Sequence, residues 1–412
     1  MSRPRWISLG ALLVVLALLP LLPRGGGQPD TARRAAGPER PTPLTAGYGE
    51  VTPAFERTIA SVVRADQAPR LSTRTPAGTL VGDLVRCAVF EGQRYCLGVG
   101  WTDRGQAEVR RSMTAVAARQ AVHPPRTTGT GDLSLIDALR RAARMSPSAR
   151  AAAQTAELTE AARSVAKVWL LRHQIQGVAL PPDFFARHPE VRAGTDSAAT
   201  APVTPNVLAP DSPTGKQRPK GWDDYPSRGV VLNQEDVRAQ HRTYWCGPTS
   251  MQMIAWGWSG RKRYQRHWAS KLGTTTHGTS ITSMVDVVNR YTGWDKAAYA
   301  GPYITLDISD WSFRQWMLLM ARHIVDYRAP VILHPVLLTE FYPYLDHDGS
   351  GHFQVGRGYR KRDDQTPLLG YFEPWNQHRF HADEPFIDRV QWRNAYRSYR
   401  ANQEHFQHNL GV

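Results

Sequence analysis

Only three cysteines occur in the 412 residues, and two of them, Cys87 and Cys96, stand nine apart around Glu91-Gly92. With Glu91-Gly92 as a two-residue hairpin loop, Phe90 faces Gln93, Val89 faces Arg94, Ala88 faces Tyr95 and Cys87 faces Cys96. Alternation makes the last a non-hydrogen-bonded pair whose Cα atoms lie about 4.5 Å apart, which suits a cross-strand disulfide. Such a bridge belongs to an oxidising compartment. Three thiols are too few for a disulfide-dense scaffold or a multi-cysteine zinc array, because each needs four or more at close spacing. Cys246 is left unpaired.

The amino terminus supports the same compartment. Arg3 and Arg5 precede an apolar run from Trp6 to Leu22, and Arg24 with Gly25-Gly26-Gly27 follow it. Residues 1–27 therefore read as a signal peptide or an uncleaved membrane anchor, and the mature chain is expected to be secreted or extracellular. Membrane contact is expected only through this segment. Residues 28–46, rich in Pro, Gly, Arg and Thr, read as a flexible tether. Residues 47–177 read as a small region containing the hairpin and helices. Within it, Ser146-Pro147 predicts a helix N-terminus, with the helix running to Gln176 and stopped by Gly177. Residues 178–220 read as a proline-rich linker. The main domain is expected over 221–412, which holds ten of the thirteen tryptophans.

With 41% hydrophobic residues the chain is too apolar for wholesale disorder. Its +15 charge invites a polyanion, so the location of the excess matters. Residues 1–220 hold 29 Lys+Arg against 17 Asp+Glu, whereas 221–412 hold 22 against 19. The arginines are scattered and no recognition motif surrounds them, so nucleic acid is not expected as a partner. Attraction of the N-terminal half to an anionic cell-envelope polymer is a milder expectation.

Chemistry concentrates around Cys246. In Trp245-Cys246-Gly247-Pro248-Thr249-Ser250, the following Met251, Ile254, Ala255 and Trp258 recur at helical spacing. Cys246 is thus placed at a helix N-terminus, where unpaired N–H groups and the helix dipole favour a thiolate, the nucleophilic form. Gln240, six residues upstream, is placed to donate to the same developing oxyanion as the backbone N–H of Cys246. Of the fourteen histidines, His352 opens an alternating stretch, Gly351 to Tyr359, entered through Asp348-Gly349-Ser350-Gly351. A second strand, Leu368 to Phe372, leads into Glu373-Pro374-Trp375-Asn376, so either Glu373 or Asn376 comes near His352 and orients its ring.

Together these segments, with Gly278-Thr279-Ser280 before an apolar helix and Ala329-Pro330-Val331-Ile332 before the histidine, resemble the papain-like cysteine peptidases of the bacteriocin-processing, double-glycine-leader type. The free-standing secreted members are the nearest in kind. The resemblance runs from about Gln234 to Asn376. It implies an α+β fold with a helix-borne cysteine packed on an antiparallel sheet, Cys246 as nucleophile, His352 as base, Gln240 as oxyanion donor and the acidic residue before Pro374 as orienter. The family usually carries Asp-Pro at that last position and this chain has Glu373-Pro374.

The expected function is peptide-bond hydrolysis through an acyl-enzyme, on a peptide or protein substrate and with no cofactor. Cleavage of peptidoglycan stem peptides on the same scaffold is an alternative, as is a non-catalytic binding module. No metal is expected: Asp346-His347-Asp348-Gly349 begins like a calcium loop, but its twelfth position is Arg357 rather than Glu. The small N-terminal region is expected to dock or to inhibit.

Overall fold

The computed structural model describes residues 48–65, 71–122, 129–192, 219–296, 301–363 and 365–412. The expected signal segment (1–27), the tether (28–46) and most of the linker lie outside the described residues.

Ten strands form one sheet: β1 (Cys87–Phe90), β2 (Gln93–Cys96), β3 (Gly100–Thr102), β4 (Arg228–Val230), β5 (Thr305–Asp307), β6 (Val331–Leu333), β7 (Gln354–Arg360), β8 (Leu368–Phe372), β9 (Val390–Asn394) and β10 (Asn409–Gly411). The order is β1-β2-β3-β5-β10-β6-β7-β8-β9, with β4 paired to the end of β7 that β6 leaves free. Every pairing is antiparallel except β3 with β5, where Trp101 opposes Leu306. The fold is mixed α+β, and the C-terminal half has the expected antiparallel sheet with the Cys246–Ser259 helix against it.

The hairpin register is the one read from the sequence, Cys87 opposite Cys96 and Phe90 opposite Gln93, and the two cysteines are bonded. Glu91 and Gly92 both have positive φ (48° and 81°), as a two-residue turn whose twist matches the strands requires. Closing a loop of about ten residues limits the unfolded chain and contributes about 2–3 kcal/mol. Replacing Cys87 and Cys96 together by Ala is therefore expected to lower the thermal midpoint by roughly 5 °C. An unchanged midpoint in a calorimetric scan would remove the stapling role.

This hairpin is joined to the main sheet rather than set apart from it. Gly100 has φ 107°, and any Cβ there would run into the Thr305 carbonyl, so glycine is what lets β3 lie beside β5. The seam is polar and closed: Asp307 accepts from Thr102 Oγ1 at 2.6 Å and from Arg104 Nε at 3.0 Å. One hydrophobic cluster runs from Phe55 and Phe90 through Trp101 and Leu306 to Phe353 and Leu410. The helix Pro147–Leu171 begins as predicted, with Ser146 Oγ accepting from the Ala149 N–H, and ends through a wide turn at Gly177, whose φ is 74°. The stretch read as linker is packed at its start. Phe184 is fully buried, and His188 lies between Glu91 and Glu190, 2.9 Å from each. Proline content alone did not signal those anchors.

Candidate active site

Cys246 is the first residue of its helix, as its sequence context predicts. Gly247 packs so closely on Thr279 that a Cβ would meet the threonine side chain. The sulfur lies against the backbone N–H of Phe353, the residue after His352, and that of Gly247. Ser250 Oγ donates to the Phe353 carbonyl at 3.1 Å, which ties the helix to the start of the histidine strand. Burial pushes the thiol well above its ordinary pKa; the two N–H groups pull it down, while Asp132 and Glu373 push it further up.

His352 sits just before β7, which starts at Gln354 rather than at the predicted Gly351. The preceding loop explains the shift, because the His352 N–H donates to the Pro335 carbonyl and the Leu337 N–H to the Ser350 carbonyl. Asp348, the residue that gave the loop its calcium-like look, instead accepts from Thr339 N–H and Oγ1, both at 2.9 Å.

Glu373 is the residue that meets the imidazole. Its Oε1 accepts from His352 Nε2 at 2.6 Å and from the Trp375 N–H at 2.8 Å, and its Oε2 accepts from Gln354 Nε2 at 2.7 Å and Tyr344 Oη at 2.8 Å. Four donors on one fully buried carboxylate fix its position. Asn376 is placed elsewhere, its Oδ1 accepting from the Ile387 N–H at 3.5 Å. His352 Nδ1 is buried without a hydrogen-bond partner.

Gln240 is buried, and its Nε2 points to three carbonyls, Thr243 at 2.7 Å, Arg242 at 3.0 Å and Thr130 at 3.2 Å. The first two belong to the turn leading into Cys246. The third comes from the N-terminal half of the chain.

Sequence reasoning missed Gln354 and Tyr344. Gln354 was legible in principle, since it stands two residues after His352 and so shares its side of an extended chain. Tyr344 carried no signal. Also missed was a buried cluster of Asp132, His334 and His405. His405 Nε2 donates to Asp132 Oδ2 at 2.9 Å, and His334 Nε2 lies 2.9 Å from Asp132 Oδ1. These three groups bring metal-ligand atoms together, as do the more exposed Asp346, His347 and Glu384. Neighbouring hydrogen bonds fix the roles of the ring nitrogens in the buried set. His405 Nδ1 accepts from the Gln407 N–H, so its Nε2 carries the proton and offers no lone pair. Asn409 Nδ2 donates to the Val99 carbonyl, which leaves Asn409 Oδ1 to accept from His334 Nδ1 at 2.8 Å. The set encloses a carboxylate as a clamp: His405 donates to Asp132 Oδ2, and His334 Nε2 faces Oδ1 at 2.9 Å.

A helix-borne thiol against the backbone that follows a histidine held by a carboxylate, on an antiparallel sheet, is consistent with the papain-like class of cysteine hydrolase sites. In agreement, residues 231–403 match the model of the Peptidase_C39 like family, a match that supports cysteine peptidase chemistry for this segment. The matched segment contains Gln240, Cys246, His352, Glu373 and Asn376. No curated protein and no solved structure matches the chain.

Proposed function

We propose that the protein is an exported cysteine peptidase that hydrolyses peptide bonds of a peptide or protein substrate. The observation that carries this reading is the held imidazole: Glu373 takes Nε2 at 2.6 Å, and Nδ1 is left unpartnered next to the residue whose N–H touches the Cys246 sulfur. A carboxylate on Nε2 keeps that nitrogen protonated and leaves Nδ1 free to take the thiol proton. The thiolate then attacks the carbonyl carbon, and the oxyanion is met by Gln240 Nε2 and the Cys246 N–H. The protonated His352 gives its proton to the leaving amine, and water admitted in its place hydrolyses the thioester with His352 again as base. Export is supported by the basic-apolar amino terminus and by the Cys87–Cys96 bond.

The test is a digest of a peptide library and of casein, alongside purified peptidoglycan, with products sequenced by mass spectrometry. New amino termini in peptides or casein, absent with Cys246→Ala, are the expected result. Cleavage confined to peptidoglycan would move the assignment to stem-peptide hydrolysis. No cleavage of any of them, by a protein whose cleft is shown to be open, would leave a binding module.

A further inference from the structure

The three groups of the proposed mechanism are closed off from solvent: Cys246, His352 and Gln240 are each 0% exposed. Residues 129–133 run beside them, between the loop that carries His352 and the loop that carries Thr279. On one side the Thr130 N–H donates to Ser350 Oγ at 3.0 Å, and Thr130 Oγ1 donates to the Gly351 carbonyl at 2.8 Å. On the other, the Thr279 N–H donates to the Gly131 carbonyl at 2.9 Å and the Leu133 N–H to the Thr279 carbonyl at 3.0 Å, a parallel bridge. The Thr130 carbonyl takes the Gln240 amide, the donor assigned to the oxyanion. Extended backbone hydrogen-bonded on both edges, with a carbonyl at that donor, is how a peptide ligand occupies a cleft.

The fit is close on both faces. Gly131 has φ 116°, and a Cβ there would strike the Tyr244 backbone; Gly278, with φ 107°, would strike Gly131 in turn. Asp132 enters the fully buried pair His334 and His405, with the His334 ring stacked on Phe353 at 4.4 Å. A groove of about 260 Å³ continues beside Gly129, Gly131 and Asp132 along Thr243, Tyr244, Thr276 and His277.

We propose that residues 129–133 are a blocking peptide bound in the catalytic cleft, held by a carboxylate subsite made of His334 and His405, so that the chain as folded is latent. The inference rests on the peptidase reading of the site. It follows that the cleft takes extended peptides with small residues at the positions of Thr130 and Gly131 and an acidic side chain at the position of Asp132. Activity requires that the segment leave. While it stays, its Asp132 charge disfavours the Cys246 thiolate and its Thr130 carbonyl adds a third acceptor at the Gln240 amide. The clamp itself favours the charged carboxylate: His334 and His405 outweigh burial and bring Asp132 down to about 2.

Alkylation of Cys246 by iodoacetamide tests the block without requiring turnover. In the full chain the rate is expected to be far below that of a free thiol and set by local opening. Gly131→Ala, which forces the segment off Tyr244, and Asp132→Asn, which removes the charge from the clamp while keeping its shape, are each expected to raise it about 10- to 100-fold, the loss of one or two of the hydrogen bonds that hold the segment. Circular dichroism confirms the fold; if Gly131→Ala unfolds the chain, Asp132→Asn carries the test. Rapid labelling of the unaltered chain, or labelling of folded variants as slow as the parent, would overturn the block. Variants that label fast and hydrolyse peptides uphold both readings, whereas fast labelling without hydrolysis upholds the block and defeats the peptidase reading.

Discussion

Replacing Cys246 by Ala is expected to lower kcat/KM for peptide hydrolysis by roughly 10⁵- to 10⁶-fold, and His352→Ala to do about the same. In the proposed mechanism the two side chains act in one step, the thiol proton passing to the imidazole as the carbon–sulfur bond forms, so removing either removes the step. For that reason the double variant is expected to be no worse than either single one. What survives in all three is the small acceleration from binding and from the proposed oxyanion donors, Gln240 and the residue-246 N–H, which neither substitution touches. Steady-state rates on one peptide from the library digest, compared in a background where the cleft is open, provide the measurement. A double variant that loses the product of the two single effects would mean that the groups work independently and would sink the shared acyl-transfer step.

The second large effect is expected at Glu373. Glu373→Gln keeps the shape but replaces one oxygen by an NH₂ group in a pocket where all four neighbours, His352 Nε2, Trp375 N, Gln354 Nε2 and Tyr344 Oη, are donors. At least one donor must turn away, and the imidazole loses the charge that selects its working tautomer. We expect kcat to fall by about 10²- to 10⁴-fold with KM little changed, and stability to fall by about 1–3 kcal/mol for the buried mismatch. Asn376→Ala is expected to cost less than about tenfold, because the Asn376 amide meets Ile387 and not the ring. Equal losses at the two positions would reject Glu373 as the orienting group. The end of β8 that presents Glu373 is pinned by the Glu373 N–H to the Arg389 carbonyl at 2.8 Å.

How far each of these residues could be read from sequence depended on the range of the interactions that place it. The hairpin of Cys87 and Cys96 was legible to the residue, because a two-residue turn and strict alternation leave one register. The Cys246 helix and the Ser146 cap were legible for the same reason, since their signals lie within one helical turn. The start of the His352 strand was read three residues early, because what delays it is the pairing of 349–352 with 335–337, a contact no local pattern encodes. Tyr344, His334 and His405 had no signal, since each matters through a neighbour at least nineteen residues away and often more than fifty.

By itself the sequence determined the chemistry on offer: one unpaired thiol at a helix N-terminus, a glutamine six residues before it, a histidine at a strand entrance and an acid at the end of the next strand. Those features follow from local periodicity and residue type, which fold as written wherever the segment goes. Only the tertiary structure decided which acid meets the imidazole, that the N-terminal hairpin extends the main sheet through Gly100 and Asp307, and that Thr130 to Leu133 run between the Gly351 and Thr279 backbones. The reason is physical. These are contacts between segments whose separation along the chain leaves their pairing to be chosen by burial and by the satisfaction of buried polar groups over the whole fold.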